Sequence, residues 1–192
     1  MTPLNVPNLI TLSRIILIPL IVGIFYLPDN WLSFSAKNFA AAAIFIVAAV
    51  TDWLDGYLAR RLNQMSAFGA FLDPVADKLI VVGALVVLLY LARVDPLVAL
   101  IIIGREIAIS ALREWMAQIG QSKSVAVATV GKLKTVSQMV AIPLLLYHDS
   151  LFFAWLNCQA LGTLLINIAA VLTVVSMLYY LRKALPLMRK AA

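Results

Sequence analysis

The sequence predicts an all-α polytopic membrane protein with six transmembrane helices in a single domain. Three observations carry that prediction. Hydrophobic residues make up 64% of the 192 and charged residues only 12%, about half the charged share of an ordinary soluble domain, and mean hydropathy reaches +0.99. A chain of this size and composition has too little polar surface to cover itself in water. The apolar residues also fall into six runs, each near the roughly 20 residues that a helix needs to cross a bilayer. Finally, the basic residues are distributed asymmetrically between the two sets of connecting segments, as retention of Lys and Arg on the cytoplasmic side requires.

The first run is Asn8–Tyr26, closed by Pro28, Asp29 and Asn30. The second, Phe39–Arg61, ends on the basic pair Arg60 and Arg61. The third, Gly69–Ala92, is separated from the fourth, Pro96–Met116, by Arg93, Asp95 and Pro96. The fifth and sixth, Val125–Tyr147 and Ala154–Leu181, flank a turn at His148, Asp149 and Ser150. The first 13 residues lack Lys and Arg, and Arg14 interrupts the first run, so that run is expected to stay in the mature protein as a span and not as a cleaved leader.

One side of these spans receives eleven basic residues: Arg60, Arg61, Lys78, Arg113, Lys123, Lys132, Lys134, Arg182, Lys183, Arg189 and Lys190. The other receives Lys37 and Arg93. The bias places both termini, and the Asp52–Asp77 stretch, in the cytoplasm of a multi-pass plasma membrane protein. It also accounts for the net charge of +6 without nucleic acid, since no basic face with interleaved aromatics stands free of the spans. The single cysteine, Cys158, rules out an intramolecular disulfide and a cysteine-only metal site.

The polar residues gather in the cytoplasmic halves of the spans: Asn8, Thr11 and Arg14; Asp52 and Asp55; Asp73, Asp77 and Lys78; Arg105 and Glu106; Lys132 and Lys134. Polar groups at one depth on five segments predict a shared cavity open to the cytoplasm, and ionisable groups inside a membrane mark functional positions. Asp52 and Asp55 are spaced i, i+3, and Gly69, Asp73 and Asp77 are spaced i, i+4, i+8, so each set shares one helical face. Pro74 fits either the first turn of a helix capped by Asp73 or a kink near the helix start. Four converging carboxylates would repel one another and take up protons unless cations neutralised them. Two divalent metals would do so, and all-oxygen ligation with no His or Cys nearby suits Mg2+ or Mn2+ better than Zn2+.

The pattern D-x2-D-G-x2-A-R-x8-G-x3-D-x3-D, read on Asp52, Asp55, Gly56, Ala59, Arg60, Gly69, Asp73 and Asp77, resembles the signature of the CDP-alcohol phosphotransferase family with every fixed position filled. NVPNLITLSR near the start, GREI at Gly104–Ile107, SALREWMA at Ser110–Ala117 and GKLKT at Gly131–Thr135 extend the resemblance over most of the chain. It implies a six-helix fold with a metal site at the cytoplasmic membrane boundary, and a homodimer. It implies that Asp52, Asp55, Asp73 and Asp77 surround two divalent cations, with Asp77 also the general base. Asp55, Gly56, Ala59, Arg60 and Gly69 would lie along the CDP moiety. The implied reaction breaks the pyrophosphate of CDP-diacylglycerol, transfers the phosphatidyl group to an alcohol and releases CMP.

The wider motifs favour sn-glycerol 3-phosphate as that alcohol, whose phosphate needs basic residues away from the metals. Arg105, Lys132, Lys134 and Arg14 are the expected contacts, with Arg suited to bidentate binding and Lys to a point charge. Two alternatives stay open. One is the same chemistry on inositol phosphate, serine or phosphatidylglycerol. The other is a divalent-cation transporter, which would need polar groups continuing to the outer face. Plainer roles also exist for individual residues: Arg61 as a membrane anchor, Arg105 as a partner of Glu106 or Glu114, Arg113 and Glu114 as an interfacial ion pair.

Overall fold

The computed structural model describes residues 6–61, 66–118, 120, 129–149 and 157–191. Lys123, Ser150 and the starts proposed above for the fifth and sixth spans lie outside the described residues. Six helices follow in order: α1 (Val6–Ile24), α2 (Phe34–Arg61), α3 (Ala67–Tyr90), α4 (Pro96–Gln118), α5 (Thr129–Tyr147) and α6 (Cys158–Ala191). Segments of α2 and α6, Phe34–Asp52 and Cys158–Leu185, are long and apolar enough to cross a membrane, while Asn8–Ile24 and Leu133–Tyr147 are shorter apolar helices.

Side-chain caps set the helix starts. Ser33 Oγ accepts from the Ala36 amide at 3.3 Å, which moves the start of α2 to Phe34, one turn before the expected Phe39. Ser66 Oγ accepts from the Gly69 amide at 3.0 Å and starts α3 at Ala67. Asp95 Oδ1 accepts from Leu97 at 2.8 Å with Pro96 in the first helical position, where its missing N–H costs nothing. Asn157 Oδ1 accepts from Ala160 at 3.0 Å and starts α6 at Cys158. The cap at Ser66 corrects one expectation: Pro74 lies two turns inside α3, not in the first turn of a helix capped by Asp73. At its far end α6 runs past the expected Leu181 to Ala191.

α1 packs on both α2 and α3, α5 on α2 and most extensively on α6, and α4 on α6. The core joins Ile21, Ala41, Phe45, Ala48, Ala84, Leu88, Ile102, Ile142 and Leu145 from the first five helices. Gly83 lets α1 and α3 approach closely: a Cβ there would stand 2.8 Å from Ile18 Cγ2. Large apolar side chains also cover much of the outside, including Phe71, Leu100, Val136 and Val171, an exterior suited to lipid.

The end of the bundle away from Asp52, Asp73 and Asp77 is closed by two buried cations. Arg93 Nη1 donates to the Leu145 and Leu146 carbonyls at 3.1 and 2.7 Å, and its Nη2 donates to Asn38 Oδ1 at 2.9 Å. It thereby supplies the last carbonyls of α5 with donors that their own helix cannot provide. Lys37 Nζ donates to the Leu27 carbonyl and to Asp29, both at 2.5 Å. This end is stitched shut, so the polar opening lies at the other.

Candidate active site

α1 contributes a short polar stripe. Asn8, Thr11 and Arg14 recur every three residues and are all but fully buried, a costly arrangement unless each side chain finds partners. They find them on α2 and α3. Asn8 Nδ2 donates to Ser66 Oγ at 2.9 Å. Thr11 Oγ1 donates to Asp73 Oδ1 at 3.0 Å. Arg14 Nη1 donates to Asp52 Oδ1 at 2.5 Å and to Asp77 Oδ1 at 2.8 Å. The partners climb α3 as the donors climb α1, so the two helices run parallel and the stripe fixes their register. Gly69 allows the contact: a Cβ there would stand 2.5 Å from Asn8 Oδ1.

Three of the four expected acids are thus described and meet around α1. Arg14 has no exposed side-chain surface, whereas the Asp52 and Asp77 side chains are 37% and 47% exposed. Both carboxylates therefore keep solvent-accessible surface beside the buried guanidinium. Side chains of Asp55, Gly56, Ala59, Arg60 and Lys132 lie outside the described residues. Arg14, expected with the acceptor contacts, stands instead against the acids.

A second polar group faces the first. On α4 and α5, Glu106 Oε1 accepts from Arg105 Nη1 at 3.0 Å and from Lys134 Nζ. Arg105 and Lys134 are buried, at 9% and 2% exposure. One carboxylate against two cations leaves an excess positive charge in a low-dielectric setting, where it attracts an anion strongly. Arg113 lies with its guanidinium 5.6 Å from the centre of the Tyr180 ring.

Between the two groups opens a cavity of about 810 Å³, within the range of small-molecule sites. Asp73, Asp77 and Lys78 of α3 line one wall, and Arg105, Glu106, Arg113, Glu114 and Lys134 of α4 and α5 line the other, where three cations outnumber two carboxylates. One side is acidic and the opposite side carries excess positive charge, an arrangement with room for a phosphorylated alcohol.

Among the described residues no three or more acidic, His or Cys side chains are grouped closely enough to form an ion cage. The donor set nonetheless fits a hard divalent cation. The oxygens of Asp52 and Asp77 are close enough to share one nitrogen of Arg14, and the donors are carboxylates throughout. Such cations commonly take one or two carboxylates and complete their shells with water and substrate phosphate.

Two polar residues of this site escaped the sequence reading. Thr11 was seen as polar but not as a partner of Asp73. Gln138, buried at 3% exposure and lining the cavity, had one available signal: it follows Lys134 by one helical turn on the same face.

The family model described as CDP-alcohol phosphatidyltransferase matches residues 4–179. The chain is 52% identical over 182 residues to a protein of Shigella flexneri serotype 5b (strain 8401), and the match covers 94% of each chain. It is 53% identical over 182 residues to a protein of Escherichia coli (strain K12), again covering 94% of each. Both relatives bear the name CDP-diacylglycerol–glycerol-3-phosphate 3-phosphatidyltransferase.

Proposed function

This chain belongs to the CDP-alcohol phosphatidyltransferase family, and we propose that it transfers the phosphatidyl group of CDP-diacylglycerol to sn-glycerol 3-phosphate, forming phosphatidylglycerophosphate and CMP. One observation carries the acceptor half of this reading. Buried Arg105 and Lys134 share the single carboxylate of Glu106 across a cavity from Asp73 and Asp77. Serine carries no phosphate and offers that basic wall only a carboxylate offset by its own ammonium group, a weaker match than a phosphate dianion.

In this reading the acceptor phosphate sits against Arg105, Lys132 and Lys134, and the acceptor's C1 hydroxyl points at Asp77. Asp77 takes the hydroxyl proton as the oxygen attacks the phosphatidyl phosphorus. The bond from that phosphorus to the pyrophosphate bridge breaks, and the bridging oxygen leaves with CMP. Asp55, Gly56, Ala59, Arg60 and Gly69 lie along the CDP moiety. Arg14 keeps Asp52 and Asp77 in place and so belongs with the acids, not with the acceptor phosphate. Two divalent cations, Mg2+ or Mn2+, bound by Asp52, Asp55, Asp73 and Asp77 would neutralise the charge that builds on the pyrophosphate.

All six helices cross the membrane in this reading, with both termini and the cavity on the cytoplasmic side. Support comes from the two long apolar helices, from the apolar exterior and from the placement of basic residues. The homodimer rests on the family resemblance.

The test is CMP release by purified protein given CDP-diacylglycerol and Mg2+ with each acceptor in turn: sn-glycerol 3-phosphate, inositol phosphate, serine and phosphatidylglycerol. Release should depend on sn-glycerol 3-phosphate, and a higher kcat/KM with any other acceptor would overturn the assignment. Replacing Asp77 by Asn should reduce transfer by at least about 100-fold, the lower range of general-base contributions, while the protein still inserts in the membrane.

A further inference from the structure

Two side chains that line the cavity each carry a buried polar atom with no hydrogen-bond partner among the described residues: Nε of Arg105 and the amide oxygen of Gln138. Both side chains are buried and both line the space between Asp77 and Lys134. Leaving a buried amide oxygen without a donor forfeits its hydration with nothing in return, and folded proteins rarely tolerate it without a reason. Where the side chain that carries such an atom lines a cavity, a small rotation brings the atom to a ligand donor, which relieves the cost.

Helical register places Gln138 within the cavity. It lies one turn beyond Lys134 along α5, further from the end at which Gly131 lines the opening. Val81 of α3, one turn past Asp77, and Met139 also line the cavity. Beside Arg105, this part of the lining sets one amide among apolar side chains. Ser110 and Thr135 also line the cavity, but their hydroxyls already donate to the carbonyls of Glu106 and Gly131, at 2.5 and 2.9 Å. An amide oxygen does not draw a phosphate, because both are acceptors. It draws a hydroxyl.

We infer that Gln138 determines acceptor specificity by accepting a hydrogen bond from a second hydroxyl, on the carbon next to the one bearing the attacking oxygen. The pocket thereby selects phosphorylated vicinal diols over phosphorylated mono-alcohols. The inference rests on the function proposed above, in which Arg105 and Lys134 hold the phosphate end and Asp77 faces the attacking hydroxyl. A three-carbon acceptor fixed at both ends has its middle hydroxyl left to place, and Gln138 supplies the unsatisfied acceptor. Sites built to bind a hydroxyl reject the analogue lacking it more strongly than apolar pockets reject an added group.

The experiment compares two acceptors that share the phosphate and the attacking hydroxyl: sn-glycerol 3-phosphate and 3-hydroxypropyl phosphate, which lacks the middle hydroxyl. CMP release from CDP-diacylglycerol is followed with the purified full chain. Wild type should prefer the diol, and Gln138→Met should shrink the ratio of the two kcat/KM values by about 10- to 100-fold, mainly through KM for the diol. A ratio measured within one preparation does not depend on how much of the variant is folded. Gln138→Asn, which withdraws the amide by one methylene, should fall between wild type and Gln138→Met. If Gln138→Met is impaired equally with both acceptors, or not at all, Gln138 has only a packing role and the inference fails while the function stands. If wild type releases CMP with neither acceptor, both fall.

Discussion

The Glu106 carboxylate decides how the basic wall behaves. It accepts from both Arg105 and Lys134 and is itself only 19% exposed, so in the absence of substrate it is the counter-charge to two buried cations. On the proposed function, an incoming acceptor phosphate would compete for the same donors and repel the carboxylate. Replacing Lys134 by Met removes a charged donor, and KM for sn-glycerol 3-phosphate should rise by about 10- to 100-fold, the range for a hydrogen bond to a charged group. KM for CDP-diacylglycerol should stay near its wild-type value. Replacing Glu106 by Gln has the opposite sign: the competitor loses its charge, and KM for the acceptor should fall. A higher acceptor KM in Glu106→Gln would mean that the carboxylate's positioning of the two cations outweighs its competition. Steady-state kinetics with each substrate varied in turn separate these outcomes. The acids were legible in the sequence because carboxylates beside apolar runs are anomalous on sight. Arg14 was legible as charged but not as their partner, since Asp52 and Asp77 lie 38 and 63 residues away along the chain.

At the scale of helices, hydropathy located the elements and capping residues located their ends. Asp95 with Pro96 was read as a boundary and α4 begins there, while the lone serines at 33 and 66 gave no comparable signal against apolar surroundings. The end of α3 shows a less favourable cap. The Arg93 amide donates to the Leu88 carbonyl at 2.8 Å and the Ala92 amide to the Leu89 carbonyl at 3.0 Å, the paired bonds of a Schellman motif. The left-handed residue that the motif needs is Ala92, at φ +53°, where glycine avoids the Cβ clash. Ala92→Gly should therefore stabilise the protein by about 0.5–1 kcal/mol, the left-handed penalty of roughly 1–2 kcal/mol less the extra freedom of glycine in the unfolded chain. Thermal unfolding in detergent measures it, and a lower Tm would show that the methyl group contributes more by packing than it costs in strain. Activity should not change, because Ala92 sits at the end of the bundle opposite the cavity.

For the whole molecule, helix number and polarity could be read from the chain, but the order of packing could not. In water each helix would carry one apolar face to mark its partner. In lipid the outside is as apolar as the inside: Leu100 is 66% exposed and Ile102, two residues on, is fully buried, with nothing in their chemistry to tell them apart. Only polar contacts broke the symmetry, which is why the parallel pairing of α1 with α3 shows in Thr11–Asp73 and Arg14–Asp77. The same polar contacts sharpen the case for orientation. Lys37 and Arg93 were the two exceptions to the basic bias, and both are buried, at 3% and 8% exposure, against carbonyls and Asp29. They serve as clamps at the closed end, so neither presents free charge to the membrane surface there. The open end, with Arg61, Lys183 and the cavity, should then face the cytoplasm. Cys158 is buried, and Cys158→Ser gives a background for single cysteines at Trp31, which is 76% exposed, and at Arg61, which is also exposed. A membrane-impermeant maleimide should label Trp31→Cys in right-side-out vesicles and Arg61→Cys only in inside-out vesicles. The reverse pattern would put the cavity outside the cell, away from any cytoplasmic supply of phosphorylated acceptor, and the assigned orientation would have to be abandoned.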